Sequence, residues 1–76
     1  MKRGFFARRL AEVRHGAGLS QNQLADRSGV PVVTLRQYEQ GRREPTYQAL
    51  VKLSWGLGMS LAVFDQEPPA RKRKTN

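Results

Sequence analysis

The stretch SQNQLADRSGVPVVTLRQYEQG, from Ser20 to Gly41, constrains this chain more than any other. Its apolar residues recur at spacings of three and four, which is the period of helix. Yet Ser28-Gly29-Val30-Pro31 breaks it in the middle. Glycine at 29 tolerates the left-handed conformation that ends a helix. Proline at 31 suits the first turn of the next, where its missing N–H costs nothing. Ser20 and Gln23 have the spacing of a capping box, so each can satisfy a free amide of the opening turn. Gly41 closes the second segment. The sequence thus specifies two short amphipathic helices hinged on a tight turn, with two valines, an arginine and a glutamine just beyond it.

The same punctuation organises the rest. A first helix carries Phe6, Leu10, Val13 and Ala17 on one stripe and ends at Gly16 and Gly18, with His15 in its last turn. A fourth starts near Thr46, after Pro45, and carries Ala49, Leu50, Leu53 and Leu57. A last short helix opens at Ser60 and offers Leu61 and Phe64. No segment alternates with period two, and no internal repeat is present. The expected fold is all-α, a compact bundle of five helices. After Asp65 the composition turns to QEPPARKRKTN, with no apolar anchor, which reads as a disordered tail. The expected organisation is a basic lead-in over residues 1–5, one domain over 6–66 with the hinged pair at about 20–41, and a basic tail over 67–76.

A chain of 76 residues buries only about 60% of its unfolded surface. That leaves little room for an enclosed catalytic cavity. With no cysteine there is no disulfide, no thiolate zinc site and no cysteine nucleophile. The single histidine, His15, sits at a helix end, where a cation is favourable with the dipole. No set of residues suggests a metal, a cofactor or an enzyme. Nothing approaches the roughly 18 apolar residues of a membrane span, and the start MKRGFFARRL is too charged for a signal peptide, so a cytoplasmic location is expected. Fourteen Lys and Arg against six Asp and Glu give a formal +8 and a pI near 11.2. Such a balance attracts nucleic acid, acidic membranes or acidic proteins. Four of the cations lie in Arg71-Lys72-Arg73-Lys74, so the folded part is less basic than the total.

At 100° per residue, Pro31, Leu35 and Tyr38 share one side of the third helix and should face the core. Val33, Arg36, Gln37 and Gln40 gather on the opposite side, with Val32 on the flank. In a major groove Arg can bond guanine O6 and N7 together, Gln can do the same for adenine N6 and N7, and valine can cover a thymine methyl. Arg and Gln are also ordinary on solvated helices. The exposed valines are less so. Arg14 and Glu39 each flank an apolar stripe, which makes both half-buried, and a half-buried charge needs a partner. On the fourth helix Val51 and Trp55, spaced i, i+4, point away from Leu50, Leu53 and Leu57. They form a candidate contact patch.

The set Gly18-Leu19-Ser20-Gln21, Leu24-Ala25, Gly29-Val30, Thr34-Leu35, Tyr38-Glu39, Gly41, Pro45, Leu50, Leu53, Leu57-Gly58 and Phe64 resembles the helix-turn-helix of the phage-repressor and Cro-like family, also called XRE. The resemblance covers roughly Phe6 to Phe64. It implies the lambda-repressor-like five-helix bundle, in which the second motif helix enters the major groove and the first crosses the backbone. By position it implies base reading by Val32, Val33, Arg36 and Gln37. Backbone contacts would fall to Gln21, at a helix start suited to phosphate, and to Thr34, Gln40, Arg42 and Arg43. It implies a structural pair of Arg14 and Glu39 across two helices. The chain departs from the family where Pro31 replaces a small hydroxyl residue and where Val32 and Val33 replace polar side chains. Those two positions therefore favour methyl contacts over amide readout.

The reading is a small regulator, a repressor, that binds double-stranded DNA sequence-specifically as a homodimer, with Val51 and Trp55 as candidate dimer contacts. An antitoxin-like module that grips a toxin or other protein partner, and a non-specific nucleic-acid binder, are the alternatives.

Overall fold

The computed structural model describes residues 4–65. Four α-helices follow in order: α1 over Phe5–Gly16, α2 over Gln21–Ser28, α3 over Val32–Glu39 and α4 over Tyr47–Leu57. A 3-10 turn over Leu61–Asp65 ends the described chain. Residues 66–76, and with them the basic tail, lie outside the described residues, as do residues 1–3.

Local chemistry starts and stops each helix. Ser20 Oγ accepts from the Gln23 amide at 3.0 Å, and Gln23 Oε1 accepts from the Ser20 amide at 2.8 Å, so the capping box is closed in both directions. Thr46 Oγ1 accepts from the Ala49 amide at 3.1 Å and caps α4. Gly29 takes φ +82°, a left-handed value that side chains resist, and its amide donates to the Ala25 carbonyl. The turn then swings Val30 into the core while Ser28 Oγ accepts from the Val30 amide at 3.1 Å.

The core has one fully buried leucine from each helix: Leu10, Leu24, Leu35 and Leu53. Val13, Val30, Tyr38, Ala49, Leu57 and Phe64 complete it, with Phe6, Leu19, Leu50, Leu61 and Val63 packed at its edge. Helices this short are marginal alone, so this shared burial is what holds them. Phe6 joins α1 to both ends of the chain's later half. Its ring meets Tyr38 edge-on at 5.7 Å and Phe64 at 5.5 Å. Arg9 Nε donates to the Val63 carbonyl at 2.8 Å and pins the 3-10 turn to α1.

Three expectations change. The fifth helix is a five-residue 3-10 turn. Its three-residue repeat still puts Leu61 and Phe64 on one side, which is all the apolar pair requires. Pro31 is exposed, not buried with Leu35 and Tyr38. It is the N-cap, at ψ 141°, so it precedes the helix and the helical wheel does not apply to it. Ala17 is the exposed cap after α1 and leaves the stripe for the same reason.

The tight packing at Gly56 is not foreseen by the sequence. α2 packs on α4 through Gly56, where an added Cβ would sit 2.8 Å from Ser28 Cβ and 3.0 Å from Leu24 Cδ1. Arg27 Nε donates to the Gly56 carbonyl at 2.9 Å across the same seam. Gly56→Ala should gain helix propensity and lose more through overpacking, for a net loss of about 1–2 kcal/mol. Urea denaturation checks this. Equal or higher stability in the variant would mean that α2 and α4 can move apart freely.

Candidate nucleic-acid interface

The site is organised from behind. Arg14, on α1, and Glu39, the last residue of α3, are both buried, at 7% and 6% exposure. This is deeper than the half-burial their helical positions suggest. Arg14 Nε donates to Glu39 Oε2 at 2.7 Å and Arg14 Nη2 to Glu39 Oε1 at 2.9 Å, a two-pronged pair. The remaining prong, Nη1, donates to the Leu19 carbonyl at 2.9 Å in the loop before α2. Nη2 also lies 3.2 Å from His15 Nε2. Glu39 Oε1 accepts a further bond from Gln21 Nε2, at 3.1 Å. One carboxylate therefore gathers the start of α2, the end of α3 and the side of α1. The hydrogen bonds from Glu39's side raise the Arg14 pKa above its ordinary value, against the lowering effect of burial. Arg14 stays cationic wherever the fold survives, and its share of stability would be lost only above that already very high value.

The front of α3 is bare by contrast. Val33 is 57% exposed, Arg36 and Gln40 are exposed, and Val32, Thr34 and Gln37 are half-buried. Val33, Arg36, Gln37 and Gln40 share the outward side, and Val32 flanks it one turn before Arg36. Gly41 follows at φ +75°, and the Arg42 amide donates to the Gln37 carbonyl at 3.0 Å. That bond folds the exposed pair Arg42 and Arg43 back beside the end of the helix. Thr34 faces a shallow cleft shared with Thr46, Gln48 and Lys52 of the α4 start. Gln21 differs from the others. One hydrogen of its side-chain amide is held by Glu39, so a contact outward would use the second hydrogen or the backbone amide.

A second exposed surface lies on α4. Trp55 is 81% exposed and Tyr47 70%, while Val51 between them is half-buried, less open than an outward direction implies. Tyr47, Val51 and Trp55 follow one another at i, i+4 and i+8. Tyr47 could have been found by stepping back four residues from Val51. Met59, a further four residues on, is also exposed. A shallow groove runs along Tyr47, Gln48, Val51 and Lys52.

Among the described residues no group of His, Cys, Asp and Glu could hold a metal ion, and no helix is long and apolar enough to cross a membrane. A family model described as "Helix-turn-helix domain" matches residues 6–66. The chain belongs to the XRE-like helix-turn-helix family of DNA-binding domains. It is 38% identical over 61 residues to the HTH-type transcriptional regulator PuuR of Escherichia coli, covering 80% of this chain and 33% of that protein. The chain thus spans about a third of the length of the curated relatives it matches. Among solved structures it is similar to the restriction-modification controller protein C.AhdI from Aeromonas hydrophila. The TM-score is 0.75 at 32% identity, over 78% of this chain and 89% of that one. It is also similar to an HTH_3 family transcriptional regulator from Vibrio cholerae, with TM-score 0.76 at 36% identity, over 78% and 33%. Within this helix-turn-helix domain, α2 and α3 are the motif and Arg14–Glu39 is the brace at its back.

Breaking a buried pair by removing one partner costs about 3–5 kcal/mol, because it strands the other charge. Arg14→Met and Glu39→Gln should each lose stability on that scale. The double variant should lose less than the sum, since it strands neither. A thermodynamic cycle in urea with additive losses would mean the brace carries no coupling energy.

Proposed function

We propose that this domain binds double-stranded DNA sequence-specifically, with α3 in the major groove, and serves as a transcription regulator of the repressor kind. The observation that carries this reading is the contrast across α3. Its rear is buried and locked by Glu39, while its front presents Val33, Arg36 and Gln37 at i, i+3 and i+4, the first two exposed and Gln37 half-buried among the described residues. A rigid back and an open front are what a reading helix needs, since base contacts must be held in register. In this reading Val32, Val33, Arg36 and Gln37 meet base edges. Gln40, Arg42 and Arg43 hold phosphates past the end of α3. Thr34 reaches the backbone where Lys52 can join it, and Gln21 contributes from the start of α2.

Arg36 and Gln37 are the specific donors, and Arg42 is a phosphate contact. Gln37→Ala should lose about 1–3 kcal/mol on the preferred duplex and relax one base position. Arg42→Ala should weaken all sequences alike and flatten the slope of log K against log salt by about one. A salt titration on the preferred and on an unrelated duplex separates the two. Equal affinity of the parent protein for both duplexes would sink sequence-specific reading altogether.

One α3 spans few base pairs, so two copies on a two-fold site, with half-sites about 34 Å apart, would supply the missing contacts. The α4 stripe is the surface we assign to the second copy. Trp55 and Tyr47 offer roughly 300 Å² of aromatic area, well short of the about 800 Å² per partner of a stable interface. A weak dimer that forms on DNA follows. Trp55→Lys should abolish cooperativity on a palindromic duplex and leave the affinity for one half-site intact, as sedimentation and titration can measure. One protein per palindrome at saturation would rule the dimer out. In that case the stripe is the feature that favours the antitoxin-like reading, with a different protein seated on it.

A further inference from the structure

The tip of α3 is unusual for a surface that is to meet DNA. Pro31 is exposed, Val32 is half-buried and Val33 is 57% exposed, so three consecutive apolar residues lead the helix outward. None of them can donate or accept a side-chain hydrogen bond. Arg36 stands three residues from Val33 and four from Val32, so it neighbours both valines on the helix surface. Arg36 only donates. The first turn of α3 also contains no acidic residue, so no carboxylate there singles out the N4 amine of cytosine, methylated or not.

We infer that this domain reads the C5-methyl group of a pyrimidine through Val33, next to a guanine taken by Arg36, and therefore binds 5-methylcytosine in the place of thymine. The inference rests on the reading that α3 enters the major groove. Thymine and 5-methylcytosine differ there at C4, where one has an O4 acceptor and the other an N4 donor, but they carry the same methyl at C5. A valine contacts the methyl and has no polar atom with which to test C4. Unmethylated cytosine lacks the methyl and so loses the one contact that Val33 makes; its N4 amine is shared with 5-methylcytosine and does not tell the two apart. A thymine–guanine step and a methylated cytosine–guanine step then present one surface to Val33 and Arg36. DNA methylation at such a step would switch a poor site into a good one without changing its sequence.

The test uses the full chain and a duplex recovered by selection from random DNA. At each position of a half-site the pyrimidine is made in turn thymine, uracil, cytosine and 5-methylcytosine, with the matching partner base, and affinity is read by fluorescence anisotropy. Uracil pairs as thymine does and lacks only the methyl. At one position per half-site, uracil should bind about fourfold more weakly than thymine, the factor that burying one methyl-sized group confers. Methylating cytosine at the same position should recover a similar factor. Val33→Ala, at an exposed helical site that does not support the core, should shrink both ratios toward one while the guanine preference persists. Selective binding with equal affinity for thymine and uracil at every position overturns this inference and leaves base reading standing. Failure of the selection to enrich any sequence overturns base reading itself, and this inference with it.

Discussion

The two-pronged pair between Arg14 and Glu39 is the interaction on which the rest of the structure depends. Short helices do not fix their own relative angles. Four leucines can gather in a core with many small rotations of one helix against another, because dispersion and apolar burial have no direction. Hydrogen bonds do have direction. Arg14 spends its guanidinium on Glu39, on the Leu19 carbonyl and on the edge of His15, while Glu39 also takes Gln21. That network sets the end of α3 against the side of α1 and the start of α2. Its charged pair is buried, so those bonds are little weakened by solvent screening, and losing either Arg14 or Glu39 would strand the other's charge.

The placement of that pair explains how so few residues suffice for a binding surface. Because Glu39 is the last residue of α3, the brace acts at the end of the helix that carries Arg36 and Gln37, and it leaves the other end to project. Val30 anchors the turn at that other end, buried between helices, and Gly29 supplies the backbone conformation that lets it reach the core. The helix is therefore held at both ends and free along one face. The cations divide accordingly. Arg9, Arg14 and Arg27 are engaged in holding the 3-10 turn, α3 and α4 in place. Arg36, Arg42 and Arg43 stay exposed on and beside the reading face. A high net charge alone does not separate these two uses.

Much of the local architecture was legible because its causes are local. Ser20 with Gln23, Gly29, Thr46 after Pro45, and the leucine spacings each act within one or two turns of backbone, so reading neighbours suffices. The places where expectation and structure part have a common cause too. Pro31 and Ala17 were assigned to faces by helical angle, but both are caps, and the angle holds only inside the helix. The end of the chain satisfies Leu61 and Phe64 with a 3-10 turn, since five residues cannot complete more than one regular turn of either helix type.

What the sequence by itself determined is the number of segments, their ends, and which side of each is apolar, because caps, turns and periodicity are properties of adjacent residues. It also determined that α3 would have a polar front with two valines at its start. The tertiary structure alone decided which surfaces stay uncovered and which distant residues meet. Gly56 matters only because α2 lies against it, and Tyr47 joins Val51 and Trp55 as a surface only because nothing in residues 4–65 packs over them. The depth of the Arg14–Glu39 pair likewise depends on three elements closing around it. Burial is a sum over the whole fold, and no window of sequence contains it.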